Sequence, residues 1–551
     1  SFESNSKDTK ITTRSQFFFI PRLSFNHSFS TILLFETDQR TQDYIALTNN
    51  RGPSSGISDP AANAVIRSIK SGSSEFRALG ALASVNYKFK DRYISSFNVR
   101  ADGSSKFGSN RRWGIFPSAS VGWRFSEETF LQAAKFLSDG KLRASWGMTG
   151  REPGNPYARH AIYNTTNPSL YIDNPIIIPK QVQLDNLKWE TMSSWNIGLD
   201  LAFFNNNVNF TAEVYNKLTQ DLLWNKYKIP NSSGFSQLLW FNGGELENKG
   251  WELFVRAILI KRKDFSFSVN MNISQNLNTF LKFPDNFNNE VDVSIGNGQF
   301  PRRAEVGQPI GSFYGFNYLG TWPSTSDVVA LSADGTPIID SNGDPVPLAY
   351  NNGYLFQGGD AKYEDINHDG VIDLNDVIYL GDSNPDFFGG FGGGASYKSF
   401  RLSFQFLYRS GFQIVNEVAM NTEGMLNKNN QSMAVMHRWR VEGQDEEGML
   451  PRAYLDHPAN NLGSSRYVED GDFLRLNNLS LRYGLPAKMS RKIHVSSIDL
   501  ALSMRKILTF TNYSGPNPEI PQDSSDPFWF GTDNARTPPP EAYTLSISIG
   551  F

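Results

Sequence analysis

The run FSFSVNMNIS, residues 265–274, puts Phe265, Phe267, Val269, Met271 and Ile273 on one side of an extended chain. Ser266, Ser268, Asn270, Asn272 and Ser274 fall on the other. Successive strand side chains point to opposite faces, so the segment is a ribbon with an oily side and a wet side. The same reading holds at the C-terminus, where Tyr543, Leu545, Ile547, Ile549 and Phe551 oppose Thr544, Ser546, Ser548 and Gly550. It holds again for Phe400, Leu402, Phe404, Phe406 and Tyr408, and for Trp195, Ile197, Leu199, Leu201 and Phe203. A half-buried strand of a soluble sandwich alternates in the same way. Three features point instead to strands that cross a membrane. The segments run about 9–13 residues, where soluble strands average ~5–6. Their polar faces are rich in Ser, Asn, Gly and Gln, as a hydrated lumen requires. Short connections (Asn205–Asn207, Lys263–Asp264) alternate with long ones (151–192, 284–310), the asymmetry of outer-membrane barrels.

The expected fold is therefore all-β, a large transmembrane antiparallel β-barrel, with about 15–16 strands in this stretch. They are expected near 16–29, 30–46, 76–90, 92–105, 112–125, 140–150, 193–204, 207–223, 246–261, 264–281, 311–321, 387–398, 399–416, 471–485, 497–512 and 541–551. Short helices are expected at 128–137, after Ser126 with Glu127 and Glu128 in the first turn, and around 414–440.

Composition narrows the function. Lys and Arg number 52 against 55 Asp and Glu, so a net charge of −3 leaves no basic field for nucleic acid. Cysteine is absent, which excludes disulfides, thiolate metal sites and a cysteine nucleophile. No run nears the ~18 apolar residues of a spanning helix. Aromatics reach 13% and glycines number 45, while mean hydropathy is −0.40, a mixture suited to many alternating strands. The six histidines form no HExxH, and there is no GxSxG elbow or phosphate-cradling glycine loop, so catalysis is not expected.

Residues 98–125, NVRADGSSKFGSNRRWGIFPSASVGWRF, are followed by SEETFL and by KLRASWGMTG at 141–150. With WETMSSWNIGLDLAFF (189–204), GELENKGWEL (244–253), YEDINHDGVIDLNDVIYLGDSNPDFFGGF (363–391), YVEDGDFLRLNNLSLRYGLP (467–486) and a terminal Phe551, this succession resembles the barrel of SusC-type (RagA-like) TonB-dependent transporters. The match spans nearly all of 76–551 and fits 1–75 only loosely. Arg151 and Lys506 depart from the pattern, each standing where such proteins usually carry Asn.

The resemblance implies a bacterial outer-membrane, multi-pass protein of the Bacteroidetes type and energy-coupled uptake of a large nutrient, a glycan or an oligopeptide. It further implies a SusD-like surface lipoprotein as a lid, a TonB complex as motor and outer-membrane lipid around the wall. Barrels of this type have about 22 strands. Residues 1–551 are thus expected to form part of one barrel domain, with signal peptide, TonB box and plug lying outside this stretch. A non-transporting scaffold or export-channel component on the same fold is the alternative.

One motif carries ligand chemistry. Asp365, Asn367, Asp369, Asp373 and Asp376 occupy positions 1, 3, 5, 9 and 12 of a loop with Gly370 at position 6 and the Val371 carbonyl at position 7. That spacing suits a structural Ca²⁺, although Asp at position 12 reaches less far than Glu. It lies within 284–385, expected to be a long extracellular loop region. An Asx-rich turn without an ion is the plainer reading, and turn chemistry accounts for the acidic stretch 334–345. Aromatics in long connections (Tyr157, Tyr163, Tyr171, Trp224, Trp240, Phe241) suit interfacial girdles better than glycan stacking.

Overall fold

A computed structural model describes residues 2–551 apart from 50–65, 132, 165–169, 172–173, 176, 236, 285–289, 293–298, 352, 427, 456, 520–530 and 536. Its main feature is a 15-stranded sheet whose strand order follows chain order. The strands are β1 (Phe2–Phe19), β2 (His27–Asn49), β3 (Ile66–Phe89), β4 (Tyr93–Ser104), β5 (Trp113–Trp123), β6 (Leu137–Arg151), β7 (Glu190–Phe203) and β8 (Val208–Gln220). They continue as β9 (Glu245–Lys261), β10 (Phe265–Lys282), β11 (Phe387–Tyr397), β12 (Phe400–Ser410), β13 (Phe473–Gly484), β14 (Ser497–Thr511) and β15 (Ala542–Gly550). Every register described for this sheet is antiparallel, for instance β2 on β3 and β10 on β11.

Connections alternate in length as expected. At one strand end they are short: 20–26, 90–92, 124–136, 204–207, 262–264, 398–399 and 485–496. At the other they are longer, including 152–189, 221–244, 283–386 and 411–472. The tight 204–207 turn puts Phe204, Asn205 and Asn206 at φ of 53°, 57° and 62°, the left-handed region that Asn tolerates best.

The chain divides into two compact units: 1–204 with 213–247 and 281–285, and 205–212 with 248–280 and 286–551. In the first, β5 shows how the apolar face is disposed. Trp113, Ile115, Val121 and Trp123 are 59%, 66%, 54% and 38% exposed, while Gly114 and Phe116 on the opposite face are buried. In the second, Leu545 and Ile547 of β15 are 72% and 62% exposed, and Val269 and Phe404 stay half-buried. Among the described residues no packed protein interior takes them in.

The water-excluding cores lie in the long connections instead. One gathers Tyr314, Phe316, Leu348, Tyr363 and Ile372 with Ala459 and Leu462, joining 283–386 to 411–472. A second unites Phe300, Phe313, Val415, Met420 and Tyr467. In the first unit Phe107, Ala158 and Leu187 form a third.

Three expectations need correction. The strand expected at 16–29 is two strands, β1 and β2, parted by a turn at 20–26. Residues 311–321 hold only two four-residue strands, Ser312–Gly315 and Tyr318–Thr321, neither in the main sheet. No α-helix forms at 128–137 among the described residues, only short 3₁₀ turns at 125–127 and 129–131. There Glu128, read as a helix starter, accepts hydrogen bonds from the Tyr93 hydroxyl at 2.6 Å and Trp123 Nε1 at 3.2 Å, pinning the chain to β4 and β5. The short helix expected around 414–440 is present at Glu417–Glu423, with a 3₁₀ turn at Met433–His437.

Candidate functional site

The polar face of the first unit is built from charged residues that reach across glycines. Glu36 of β2 pairs in register with Gly80 of β3, and Gly80 with Asp102 of β4. A Cβ on Gly80 would lie 2.9 Å from Arg100 Nη2 and 2.9 Å from Asp102 Oδ1. The missing side chain lets Arg100 of β4 cross β3 and donate to Glu36, while its Nε donates to Asp102 at 2.7 Å. Arg14 of β1 donates to the other oxygen of Glu36 at 3.1 Å.

The same device recurs on β6 to β8. Arg143 pairs with Gly198, whose Cβ would lie 2.5 Å from the Arg143 guanidinium carbon. Arg143 crosses that gap to Glu213 of β8 and donates to Asp200 at 3.1 Å, while Asn196 donates to Glu213 at 2.9 Å. These pairs are partly solvated, so each adds little stability. Their charge-assisted, oriented bonds nonetheless fix a wall of alternating sign toward water.

In the second unit a neutral stretch of the polar face runs across β10 to β12. Gly390, Gly392 and Gly394 of β11 stand in register with Asn272, Asn270 and Ser268 of β10, and with Leu407, Gln405 and Ser403 of β12.

The cap core joining 283–386 to 411–472 encloses an ion pair that local sequence reading missed. Asp360 is fully buried and accepts from Arg452 Nε at 2.7 Å, the Tyr354 hydroxyl at 2.7 Å and Asn460 Nδ2 at 2.9 Å. Asn460 also accepts from the Ala361 amide at 2.8 Å. No spacing rule links residues so far apart in the chain; only the fold brings them together.

The 365–376 loop lies against the same core. Gly370 sits at φ +82°, and a Cβ there would come within 2.9 Å of the Ala330 Cβ, so glycine is required twice over. The carboxylates turn inward to main-chain amides. Asp365 accepts from Gly370 at 2.8 Å, Asp369 from Val371 at 2.8 Å, and Asp373 from Asn375 at 2.7 Å. Asp376 is buried and accepts from Ile366 and Asp373, each at 2.8 Å. Burial pushes its carboxyl up, and the amides of Asp373, Ile366 and Asn367 pull against that rise. Among the described residues no three His, Asp or Glu side chains are placed to hold an ion together. Asp365, Asn367, Asp369, Val371, Asp373 and Asp376 are thus in one loop, closed by its own amides. The acidic stretch 334–345 is likewise a turn, Asp340 accepting from the amides of Asn342 at 2.8 Å and Asp344 at 2.9 Å.

The aromatic assignment also shifts. Trp224 donates to the Gly243 carbonyl at 2.6 Å and Trp240 packs on the Phe107 core, so both brace a connection rather than a girdle. Girdle positions fall to Trp113 and Trp123 at the ends of β5.

A family model described as TonB dependent receptor-like, beta-barrel, matches residues 2–326. The chain belongs to that family. Among relatives, TonB-dependent receptor P3 of Formosa agariphila is 30% identical over 476 residues, 85% of this chain and 45% of that protein. TonB-dependent receptor SusC of Bacteroides thetaiotaomicron is 27% identical over 491 residues, 85% of this chain and 43% of that protein. A solved structure of the RagAB peptide transporter shares the fold, with a TM-score of 0.79 at 22% identity over 100% of this chain and 56% of that one. The chain spans about half the length of the curated relatives it matches. As a TonB-dependent-receptor-like barrel of the SusC type, it is a bacterial outer-membrane protein. Its exposed apolar rows face lipid and its charged ladders line the aqueous side.

Proposed function

We propose that this chain supplies wall and cap of an importer that takes a large nutrient across the outer membrane, powered through TonB. The observation that carries this is the union of two long connections, 283–386 and 411–472, in one hydrophobic core on a barrel of this family. An open pore needs no such folded mass at its mouth. A folded, extracellular cap offers a rigid seat for a SusD-like surface lipoprotein acting as a lid, and the N-terminal portion of the whole protein would engage TonB. The cargo is a glycan or an oligopeptide, with the named substrate of RagAB supporting the second. The test is deletion of the gene, with growth followed on oligosaccharides or on peptides as sole source. Loss of growth on one class, restored by the intact gene but not by one lacking its TonB-contacting segment, is expected. Undiminished growth on both, or rescue without that segment, favours the scaffold or export reading.

We propose further that the 365–376 loop takes Ca²⁺ as a structural staple. The order of its oxygens and the positive φ of Gly370 support this. Binding would exchange the amide contacts of Asp369 and Asp376 for the ion. Millimolar Ca²⁺ should then raise the melting temperature of the purified protein, and Asp365→Ala should abolish the rise. A melting temperature indifferent to both Ca²⁺ and chelator leaves the loop as a self-closed turn.

A further inference from the structure

A groove opens on the lipid-facing side of the first unit, where β4 and β5 end and the β2–β3 hairpin runs on. Its floor is one register row across four strands. Thr37 pairs with Leu79, Leu79 with Gly103, and Gly103 with Trp113. A Cβ on Gly103 would lie 3.1 Å from the Trp113 ring, so the indole rests directly on the glycine. Leu79 and Trp113 are 43% and 59% exposed, an apolar floor open to the outside.

The next row toward the long connections changes character. Arg77 pairs with Gln39, and its main chain is tied to Ser105 by two bonds, Ser105 N to Arg77 O at 2.9 Å and Arg77 N to Ser105 Oγ at 3.1 Å. Arg112 lines the same groove, whose volume is about 420 Å³. Behind the rim, Arg159 donates to the Ser105 carbonyl at 3.2 Å. Burial and the nearby Arg112 charge lower the Arg159 pKa, with only Asp185 opposing. Arg159 and Arg112 likewise join burial in depressing His160. Two nearby acids are each paired, Glu75 with Arg77 at 2.7 Å and Asp38, also in the groove lining, with Lys10 at 3.2 Å, so Arg112, with Arg159 behind it, gives the rim its sign.

An apolar floor that gives way to a cationic rim matches an amphiphile with a negative head. The height is right as well. Trp113 and Trp123 mark the two ends of β5, and ten strand steps cover about 33 Å, or about 25 Å once tilted ~40°, the height of a barrel's apolar band. Trp113 therefore lies at the membrane boundary, where head groups are.

We propose that this groove binds one outer-membrane lipid by an anionic phosphate head group. Arg112 meets the phosphate, and Leu79 and Trp113 meet the first methylenes of an acyl chain. The site rests on the membrane placement of the family and is independent of what the protein imports.

The test uses the whole protein in nanodiscs of phosphatidylglycerol mixed with phosphatidylcholine of the same acyl chains. Lipids retained after transfer to detergent are counted by native mass spectrometry. Wild type should retain one phosphatidylglycerol in preference to phosphatidylcholine, and Arg112→Gln should cut that retention about fivefold. Arg112→Lys should keep most of it, which separates lost charge from lost folding. Equal retention of both lipids by wild type, undiminished retention in Arg112→Gln, or binding of inorganic phosphate in place of lipid overturns the proposal.

Discussion

Lys506 holds a backbone conformation that its side chain disfavours. It sits at φ 56° within β14, beside the register shift between Leu476 and Asn478 of β13. An L-residue with a Cβ is strained in the left-handed region, and Asn tolerates it because its short amide bonds locally. Asn is the residue that the family pattern places there, so the departure noted in the sequence is a strained bulge in the structure. Lys506→Asn should stabilise the barrel by about 0.5–1 kcal/mol. The Lys506–Glu519 contact it removes, 3.9 Å long and about a third exposed on each side, is worth less than that. Urea midpoints of the two proteins in one detergent check this; a lower midpoint for the variant would contradict it. Arg151, the other departure, is 78% exposed and 3.6 Å from Glu190, and carries no strain of this kind.

Strands were legible where alternation was clean, because an amphipathic ribbon writes its two faces into every second residue. The aromatic run from Phe17 to Phe29 hid a turn, since apolar residues continue through it and only Pro21 and Asn26 mark the break. At 128–137 a correct helix-start signal lost to tertiary bonds on Glu128. Glycine roles were not legible, because the sequence cannot show what lies above a missing Cβ. Two of them now separate by what a methyl group would strike. At Gly108 the Cβ would fall 1.9 Å from the Asp185 carbonyl oxygen, which is backbone and cannot yield. At Gly198 it would meet the tip of Arg143, a side chain that can swing away. Gly108→Ala should therefore cost about 3 kcal/mol or block folding, and Gly198→Ala about 1 kcal/mol. Chemical denaturation of both variants decides, and equal costs would refute this ordering.

The cap rests on a pairing that only the fold could reveal. Removing Arg452 takes the cationic partner from the fully buried Asp360, a loss of about 3–5 kcal/mol for Arg452→Met. Adding Asp360→Asn should recover much of it, because a neutral amide can stay beside Tyr354 and Asn460. Hydrogen exchange in 353–363 and 452–462 reports both effects. Unchanged protection in the single variant would mean that the pair contributes nothing to holding the connections together.

At the scale of the molecule, lipid is what makes the sheet's surface intelligible. Rows such as Ile115, Val121, Leu545 and Ile547 would be an aggregation hazard in water, yet they are the ordinary exterior of a barrel. In a bilayer the penalty for a charge depends on its height and not on how many protein atoms surround it. Ala119 lies on the outward face of β5, close to midway between Trp113 and Trp123, and is half-buried. Trp123 ends the same row and is 38% exposed. Ala119→Arg should cost about 2–4 kcal/mol and Trp123→Arg about 0–1 kcal/mol from the charge itself, the depth dependence known for barrels. In a water-soluble sheet the order would reverse, because an exposed indole traded for arginine loses packing while a half-buried alanine has solvent at hand for the guanidinium. Folding titrations into short-chain vesicles measure both variants against wild type. A smaller loss at position 119 than at 123 would remove the membrane from the outer face, and with it the aqueous bore assigned to the Arg100 and Arg143 ladders.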